Sequence, residues 1–135
     1  MNEYGERSQQ VLGELHPDLQ LVFRFVLTIY DHALICGHRG EVLQNQWFRE
    51  KKSRLRYPES KHNSFPAKAV DAVPYFRGKS AIDWNDTGAF CQLAGVVLAA
   101  SKQLNIPIRW GGDWDNDRRT RDQSFNDLGH FELLE

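Results

Sequence analysis

The sequence contains few cysteines and no excess of either charge. Its 135 residues include two cysteines, Cys36 and Cys91, which lie far apart in apolar stretches. Two such thiols cannot form a CxxC motif or the disulfide framework of a small secreted protein, and we expect both to be buried free thiols. Basic and acidic residues number 17 and 18, whereas nucleic-acid-binding proteins usually carry a basic excess that neutralises phosphates. The composition therefore argues against a disulfide scaffold and against a dedicated nucleic-acid-binding protein.

Long apolar runs are also absent. The longest, such as Leu93–Ala100, are far shorter than the ~20 residues that span a bilayer as a helix. The first ten residues are polar and lack the apolar core of a signal peptide. Hydrophobic residues make up 41% and charged residues 26% of the chain, as in folded proteins rather than disordered ones. Since we find no repeat or linker, we expect residues 1–135 to form one domain without stable membrane insertion.

The hydrophobic pattern predicts helices and strands interspersed along the chain. Ser8 is positioned to cap a short first helix, and Pro17 opens a second one. Two more helices are predicted over Glu41–Lys51, with Val42 facing inward, and over Asp86–Leu104. The predicted strands are Ala33–Cys36, Ala69–Tyr75, Ile106–Trp110 and His130–Leu134, and Ser53–Lys68 is predicted to be a loop. This order predicts an α+β fold in which helices pack on a small, mostly antiparallel sheet.

An aspartate stands inside an otherwise apolar predicted strand. Asp71 is the one charged residue in the segment 69–73, and His62 lies in the loop that precedes the segment. A carboxylate buried in such a strand is costly unless it is paired or binds a metal. An aspartate at a sheet edge that faces water would also satisfy the pattern, so the strand alone leaves both interpretations open.

The predicted last strand brings a second histidine. His130 and Glu132 share one face of this strand, whereas Phe131 and Leu133 lie on the other. Asp127, in the preceding turn, is positioned to reach the same space as His130.

Two histidines and an aspartate form a three-ligand set. His62, Asp71 and His130 would leave a fourth zinc position open, as catalytic zinc sites do, whereas structural zinc sites are usually closed and rich in cysteine. Zinc lowers the pKa of bound water towards about 7. A carboxylate that is not a ligand can then transfer the proton, and Asp127 is the candidate for that acid/base role.

Five short motifs follow one another along the chain. They are His16-Pro17-Asp18-Leu19, Gly37-x-Arg39 with Gln44, Ser60-x-His62 followed by Ala69-Val70-Asp71, Trp110-Gly111-Gly112-Asp113-Trp114, and Asp127-x-x-His130-Phe131-Glu132. In order and placement they resemble the D-Ala-D-Ala carboxypeptidase family of zinc peptidases. Within that family they are most similar to the phage endolysins that are L-alanyl-D-glutamate endopeptidases. The resemblance covers nearly the whole chain, from Leu12 to Leu133.

The resemblance implies a role for each matched residue. One catalytic zinc ion would be held by His62, Asp71 and His130, and Asp127 would be the catalytic acid/base. Arg39 would stabilise the oxyanion that develops in the transition state.

Three further residues are expected to contact the substrate. Ser60 stands beside the first ligand, His38 adjoins the catalytic arginine, and Trp110 begins the glycine-rich motif.

Gly129 departs from the family pattern, which commonly has proline before the last histidine. The loop between the first histidine and the aspartate is also longer than in many relatives.

The resemblance implies an endolysin that cuts the L-Ala–D-Glu bond of peptidoglycan stem peptides during host lysis. We expect a monomer without a separate wall-binding domain. It would be made in the host cytoplasm without a signal peptide and would reach the wall in the periplasm after release by another factor. Alternatives are a D-Ala-D-Ala carboxypeptidase, a metal-dependent nuclease and a zinc-containing wall-binding module without catalysis. Alternating Asp113, Asp115 and Asp117 fail the EF-hand pattern but leave a regulatory cation open.

Overall fold

The computed structural model describes residues 1–79, 81–116, 118 and 127–134. Within these residues it contains four helices and four strands. The helices are α1 (Glu6–Gly13), α2 (Pro17–Leu27), α3 (Glu41–Arg49) and α4 (Thr87–Leu104), and the strands are β1 (His32–Cys36), β2 (Ala69–Pro74), β3 (Ile108–Trp110) and β4 (His130–Leu133).

The four strands form one antiparallel sheet in the order β1-β2-β4-β3. Helix α1 packs on β1, α4 packs on β2 and β3, and α2 packs on α4. The predicted α+β fold with helices on a small antiparallel sheet is therefore confirmed. Strands β2 and β4 are the two central strands, so each has a hydrogen-bonded neighbour on both of its edges.

The core lies between the helices and the sheet. On α2, the residues that recur at the i, i+3, i+4 spacing of a helical face are fully buried: Leu19, Val22, Phe23 and Val26. Phe23 meets Phe131 of β4 edge to face, with ring centroids 5.7 Å apart. Burial of each such side chain contributes roughly 1.5–3 kcal/mol, so these contacts anchor β4 from beneath.

Helix α1 begins earlier than predicted. It starts at Glu6 after Gly5, and the expectation that Ser8 caps it is wrong. Ser8 lies inside the helix, where its hydroxyl accepts a hydrogen bond from the backbone N–H of Leu34 at 3.0 Å. The side chain therefore ties α1 to β1 instead of closing the end of the helix.

Three other local expectations are wrong. Val42 is 80% exposed because α3 turns Gln44 inward instead. Neither cysteine is buried as expected: Cys91 is exposed, since α4 buries its opposite face against the core, and Cys36 is only half-buried. Strand β3 begins at Ile108, after Pro107, whose nitrogen cannot donate a strand hydrogen bond.

The described helices are also informative about membrane insertion. None of them is both long and apolar enough to cross a bilayer.

Candidate functional site

Three potential ligand atoms converge at the centre of the sheet. Asp71 of β2 and His130 of β4 are directly opposite each other in the strand register. His62 reaches the same point from the loop before β2. Its Nε2 lies 3.3 Å from Asp71 Oδ1 and 3.3 Å from His130 Nδ1, and His130 Nδ1 lies 3.4 Å from the same Asp71 oxygen. The structure brings together the three residues that the sequence analysis names as ligands, and Asp71 is on a central strand rather than a sheet edge.

The size of this triangle fits a small tetrahedral cation. Ligand atoms about 2.0–2.1 Å from a tetrahedral zinc ion lie about 3.3–3.4 Å from one another. The three observed separations fall in that range. Asp71 Oδ1 is moreover buried and has no hydrogen-bond partner within the described part of the chain. A bound cation would satisfy this oxygen.

Each histidine is oriented by the ring nitrogen that faces away from the triangle. His62 Nδ1 lies 2.7 Å from the carbonyl oxygen of Gly37, and His130 Nε2 lies 2.8 Å from Glu132 Oε1. A carbonyl and a carboxylate can only accept, so these two nitrogens carry protons. In the neutral rings, the opposite nitrogens therefore present their lone pairs to the triangle, as metal ligands must.

Glu132 is the centre of a second charged cluster. Besides His130, it contacts Arg109, whose guanidinium nitrogen lies 2.7 Å from Oε2, and Lys61, whose Nζ lies 3.4 Å from the same oxygen. Burial raises the pKa of Glu132, but the hydrogen bonds and charges of His130 and Arg109 outweigh burial and lower it to about 2. Glu132 is therefore a fixed anion behind His130 rather than a proton acceptor for the substrate.

The charges inside the triangle depend on one another. Burial lowers the pKa of His62, but the Asp71 carboxylate outweighs it and raises the pKa to about 10. The pKa of His130 is likewise raised, against burial, by the adjacent carboxylates of Asp71 and Glu132. The pKa of Asp71 is lowered far below its usual range, because the adjacent histidines outweigh its desolvation. The cluster holds a buried anion that requires positive charge beside it.

Arg39 lies behind the other oxygen of Asp71. Its guanidinium is 5% exposed and lies 3.4 Å from Asp71 Oδ2. It donates to Gln44 Oε1 at 2.9 Å and stacks on Trp47 with 4.0 Å between its Cζ and the ring centroid. Asn63 donates both to the same Gln44 oxygen and to the backbone oxygen of Arg39. Because these contacts fix the guanidinium, Arg39 presents a rigid cation beside the triangle.

Asp127 enters the site from the turn before β4. One of its carboxylate oxygens lies within 4.8 Å of ligand atoms of both Asp71 and His130. Burial and the charge of Asp71 raise the pKa of Asp127. Asp127 is thus a carboxyl group beside the triangle whose proton affinity differs from that of Asp71.

A glycine holds the Asp127 turn in place. Gly111 exchanges backbone hydrogen bonds with Asp127 and His130, at 3.0 and 2.8 Å. A Cβ at Gly111 would lie 2.1 Å from the backbone oxygen of Asp127. Only glycine therefore permits this approach, which explains one glycine of the Trp110–Trp114 motif. At Gly129, the turn is held by a hydrogen bond from the Ala72 N–H to the Gly129 carbonyl.

These groups line one cleft of about 1070 Å³. The cleft includes Ser60, whose hydroxyl accepts from the His62 backbone N–H at 3.2 Å. Its remaining walls carry three tryptophans, one of which, Trp114, lies with its ring 5.3 Å from that of His130. The other two are Trp47 and Trp84.

The two other predicted substrate-binding residues do not line this cleft. His38 is exposed, donates from Nδ1 to the Ser64 carbonyl at 3.0 Å, and packs edge-on against Phe65. Trp110 is 6% exposed and donates from its indole nitrogen to the Leu128 carbonyl. Trp110 therefore supports the Asp127 turn from below, and a substrate contact by either residue stays a prediction.

His16, His32 and Asp113 make hydrogen bonds to groups outside the ligand triangle. His16 caps α2, accepting from the Asp18 N–H. His32 is buried, with Nε2 2.6 Å from the Tyr4 hydroxyl. Asp113 Oδ2 accepts from the Arg118 backbone N–H at 2.7 Å. Asp117 and residues 119–126 lie outside the described residues, so a cation at that loop stays a prediction.

The sequence patterns gave weaker signals for the residues that surround the ligands than for the ligands themselves. Glu132 was placed on the face of His130 by strand alternation, but its partners Arg109 and Lys61 come from other segments. Cys36 lies 3.9 Å from His62 Nδ1 and 3.5 Å from Arg39, a position that its apolar neighbours in sequence do not indicate.

Comparison with known proteins agrees with this geometry. A family model described as phage L-alanyl-D-glutamate peptidase matches residues 1–134. The L-alanyl-D-glutamate peptidase of Escherichia phage T5 is 34% identical over 137 aligned positions, which cover 98% of each chain. The crystal structure of the Serratia marcescens L-Ala D-Glu endopeptidase ChiX superposes with a TM-score of 0.77 at 26% identity, covering 98% of this chain and 91% of that one. The resemblance drawn from the motifs is confirmed, and the chain belongs to the phage L-alanyl-D-glutamate peptidase family.

Proposed function

We propose that the protein hydrolyses the amide bond between L-Ala and D-Glu in peptidoglycan stem peptides, using one zinc ion held by His62, Asp71 and His130. The observation that carries the proposal is the triangle of ligand atoms with sides of 3.3, 3.3 and 3.4 Å. Membership of the phage L-alanyl-D-glutamate peptidase family indicates which bond is cut. A zinc ion bound by three protein ligands would supply a Lewis acid and lower the pKa of a water molecule at its open position.

Two other groups of residues could be considered as ligands, and the geometry favours neither. The Cys36 sulfur lies near His62, but it is closest to Nδ1. That nitrogen carries a proton, which it donates to the Gly37 carbonyl. Asp127 is within 4.8 Å of Asp71 and His130, whereas the three proposed ligand atoms are mutually closer. Asp127 is therefore free for a different role.

We assign the proton transfers to Asp127. Its carboxylate stands beside the ligand triangle and lines the same cleft. It would accept a proton from the attacking water and deliver it to the amide nitrogen of D-Glu, which then leaves as an amine. The balance is complete: the C–N bond breaks, a C–O bond forms, and the water supplies both protons found on the two products.

Arg39 would stabilise the oxyanion. Its guanidinium is held by Gln44, Asp71 and Trp47 before substrate arrives. A cation fixed in advance favours the charge that develops on the carbonyl oxygen of L-Ala in the transition state. Ser60 would orient the loop of His62 through its hydrogen bond to the His62 N–H.

The metal can be tested by elemental analysis of the purified protein. We expect about one zinc per chain, lost in His62→Ala and in His130→Ala. Cys36→Ser is the matched control: it alters a side chain within reach of the triangle that is not a proposed ligand, and it should retain zinc. Fully active protein without metal would refute the zinc assignment.

The bond can be tested by mass spectrometry of digested peptidoglycan. New D-Glu amino termini without free D-Ala are expected. Release of free D-Ala would instead support the carboxypeptidase alternative, and zinc-loaded protein that binds the wall without cutting it would support the non-catalytic one. The monomeric state and release from the cytoplasm by another factor stay predictions.

A further inference from the structure

An exposed tryptophan stands at the mouth of the catalytic cleft. Trp84 is 59% exposed, yet it lines the same cleft as Asp127 and His130. None of the steps assigned above uses it. Ligand clefts are commonly lined by aromatic side chains, so an exposed indole on the wall of this cleft is a candidate ligand contact.

The ring is held firmly in this position. Trp84 stacks on Phe90 of α4, with 5.7 Å between ring centroids and 20° between planes, and Phe90 is itself 2% exposed. The turn that carries Trp84 is closed by two hydrogen bonds, from the Asn85 N–H to the Asp83 carboxylate and from the Asp86 N–H to the Asp83 carbonyl. Phe90 therefore supports one face of the indole while the residue as a whole stays largely exposed, and a ring held in this way loses little conformational entropy on binding.

The Trp84–Phe90 pair lies beside the reacting groups. A Cβ built on Gly129 would lie 3.7 Å from Cε1 of Phe90, and Gly129 belongs to the turn between Asp127 and His130. A ligand bound at the cleft can thus touch both Trp84 and the catalytic turn.

The chemistry of the substrate indicates which of its groups can contact Trp84. In peptidoglycan, the amino group of the stem's L-Ala is joined to the lactyl group of N-acetylmuramic acid, so a sugar ring immediately precedes the residue whose carbonyl is attacked. The cleft of about 1070 Å³ lies just above the usual range of ligand pockets, roughly 300–1,000 Å³, so it can hold more than one dipeptide. N-acetylhexosamine rings carry equatorial substituents, so each ring presents a C–H face that can pack flat on an indole.

We propose that Trp84 is a sugar-binding platform that holds the N-acetylhexosamine of the glycan strand on the L-Ala side of the scissile bond. This inference rests on the proposed function, since it takes the cut to lie at L-Ala–D-Glu. It makes the enzyme prefer stem peptides that are still attached to glycan over free peptides.

The test compares two substrates of the zinc-loaded protein: a disaccharide-linked stem peptide and the same peptide without sugar. Trp84→Ala should raise KM for the disaccharide-linked substrate by roughly 3–10-fold, the usual scale of one aromatic contact, with kcat nearly unchanged. Turnover of the sugar-free peptide should be unaffected. Trp84→Phe should restore most of the difference because it keeps an aromatic face.

Phe76→Ala is the matched control. Phe76 is an exposed aromatic residue, 45% accessible, in the same segment between β2 and α4, but it does not line the catalytic cleft. Its loss should leave both substrates unaffected. Equal effects of Trp84→Ala on the two substrates, or no effect on either, would overturn the proposal.

A binding measurement separates this proposal from the proposed catalysis. The peptide-free disaccharide of N-acetylglucosamine and N-acetylmuramic acid should shift the Trp84 indole N–H signal in NMR spectra, whether or not the protein cuts peptides. A protein that shows this shift but cuts neither substrate would refute the proposed catalysis and leave the sugar-binding platform standing. Absence of the shift in a protein that cuts normally would refute the sugar platform alone.

Discussion

The clearest prediction concerns Glu132→Gln. The substitution keeps the size and shape of the side chain but removes its charge and one acceptor. In the native protein, one carboxylate oxygen accepts from His130 Nε2 at 2.8 Å and the other accepts from Arg109 at 2.7 Å, with Lys61 at 3.4 Å. A glutamine has a single oxygen, so its amide NH₂ must face either the His130 N–H or the two cations. Both arrangements place a donor against a donor.

The expected loss is in metal affinity. Partners that orient a ligating histidine typically contribute 10–100-fold to metal binding, which corresponds to about 1.4–2.7 kcal/mol. We expect Glu132→Gln to be near the upper end, because the variant also leaves Arg109 and Lys61 close together with their shared anion removed.

Competition for zinc against a chromophoric chelator measures this affinity without relying on activity. Circular dichroism and thermal unfolding of the metal-free protein would show whether the variant folds. Glu41→Gln, at the exposed start of α3, is the control and should bind zinc as the wild type does. Wild-type zinc affinity in a folded Glu132→Gln protein would refute the reasoning, because it would show that His130 needs no anionic partner.

Three further outcomes are expected. Asp127→Asn should retain zinc and fold while kcat falls by roughly 10²–10⁴-fold; near-normal turnover in peptide hydrolysis assays would exclude Asp127 as the base. Arg39→Lys should lower kcat by roughly 10²-fold or more, since lysine cannot make the planar contacts to Gln44 and Trp47, and a full rate would show that any nearby cation suffices. Burial lowers the pKa of His32, so below pH ~6.5 the unfolded state binds more protons than the folded state. The stability advantage of wild type over His32→Gln, measured by urea unfolding, should therefore shrink by up to about 1.4 kcal/mol per pH unit as the pH falls, and a constant difference would contradict a neutral buried His32.

Two of the three proposed metal ligands, Asp71 and His130, had local signals in the sequence before the structure. A carboxylate inside the apolar segment 69–73 is costly without a partner, and period-two alternation places His130 and Glu132 on one face of β4. Helix α2 could be predicted equally well, since its buried residues recur at helical spacing. Signals of this kind depend only on residues near one another in sequence.

The supporting contacts could not be predicted because they depend on the order of the strands. Arg109 meets Glu132 only because β4 pairs with β3 on one side and with β2 on the other. The close approach of Gly111 to Asp127 likewise requires that pairing. Alternation along a strand identifies its two faces but not its neighbours, so Arg109, Lys61 and Trp84 carried no recognisable sign of their positions.

The sheet order also has a consequence for how activity is acquired during synthesis. Strand β4 follows the other described elements in the chain, yet it is inserted between β2 and β3. In a nascent chain whose β4 is still inside the ribosome, His130 cannot reach the site. Strand β2 can then pair only with β1, and β3 has no strand to pair with. His62 and Asp71 would by then be present, but two ligands cannot form the three-ligand site. Zinc uptake and completion of the sheet should thus coincide as a single late event, so that incomplete chains carry no hydrolytic activity.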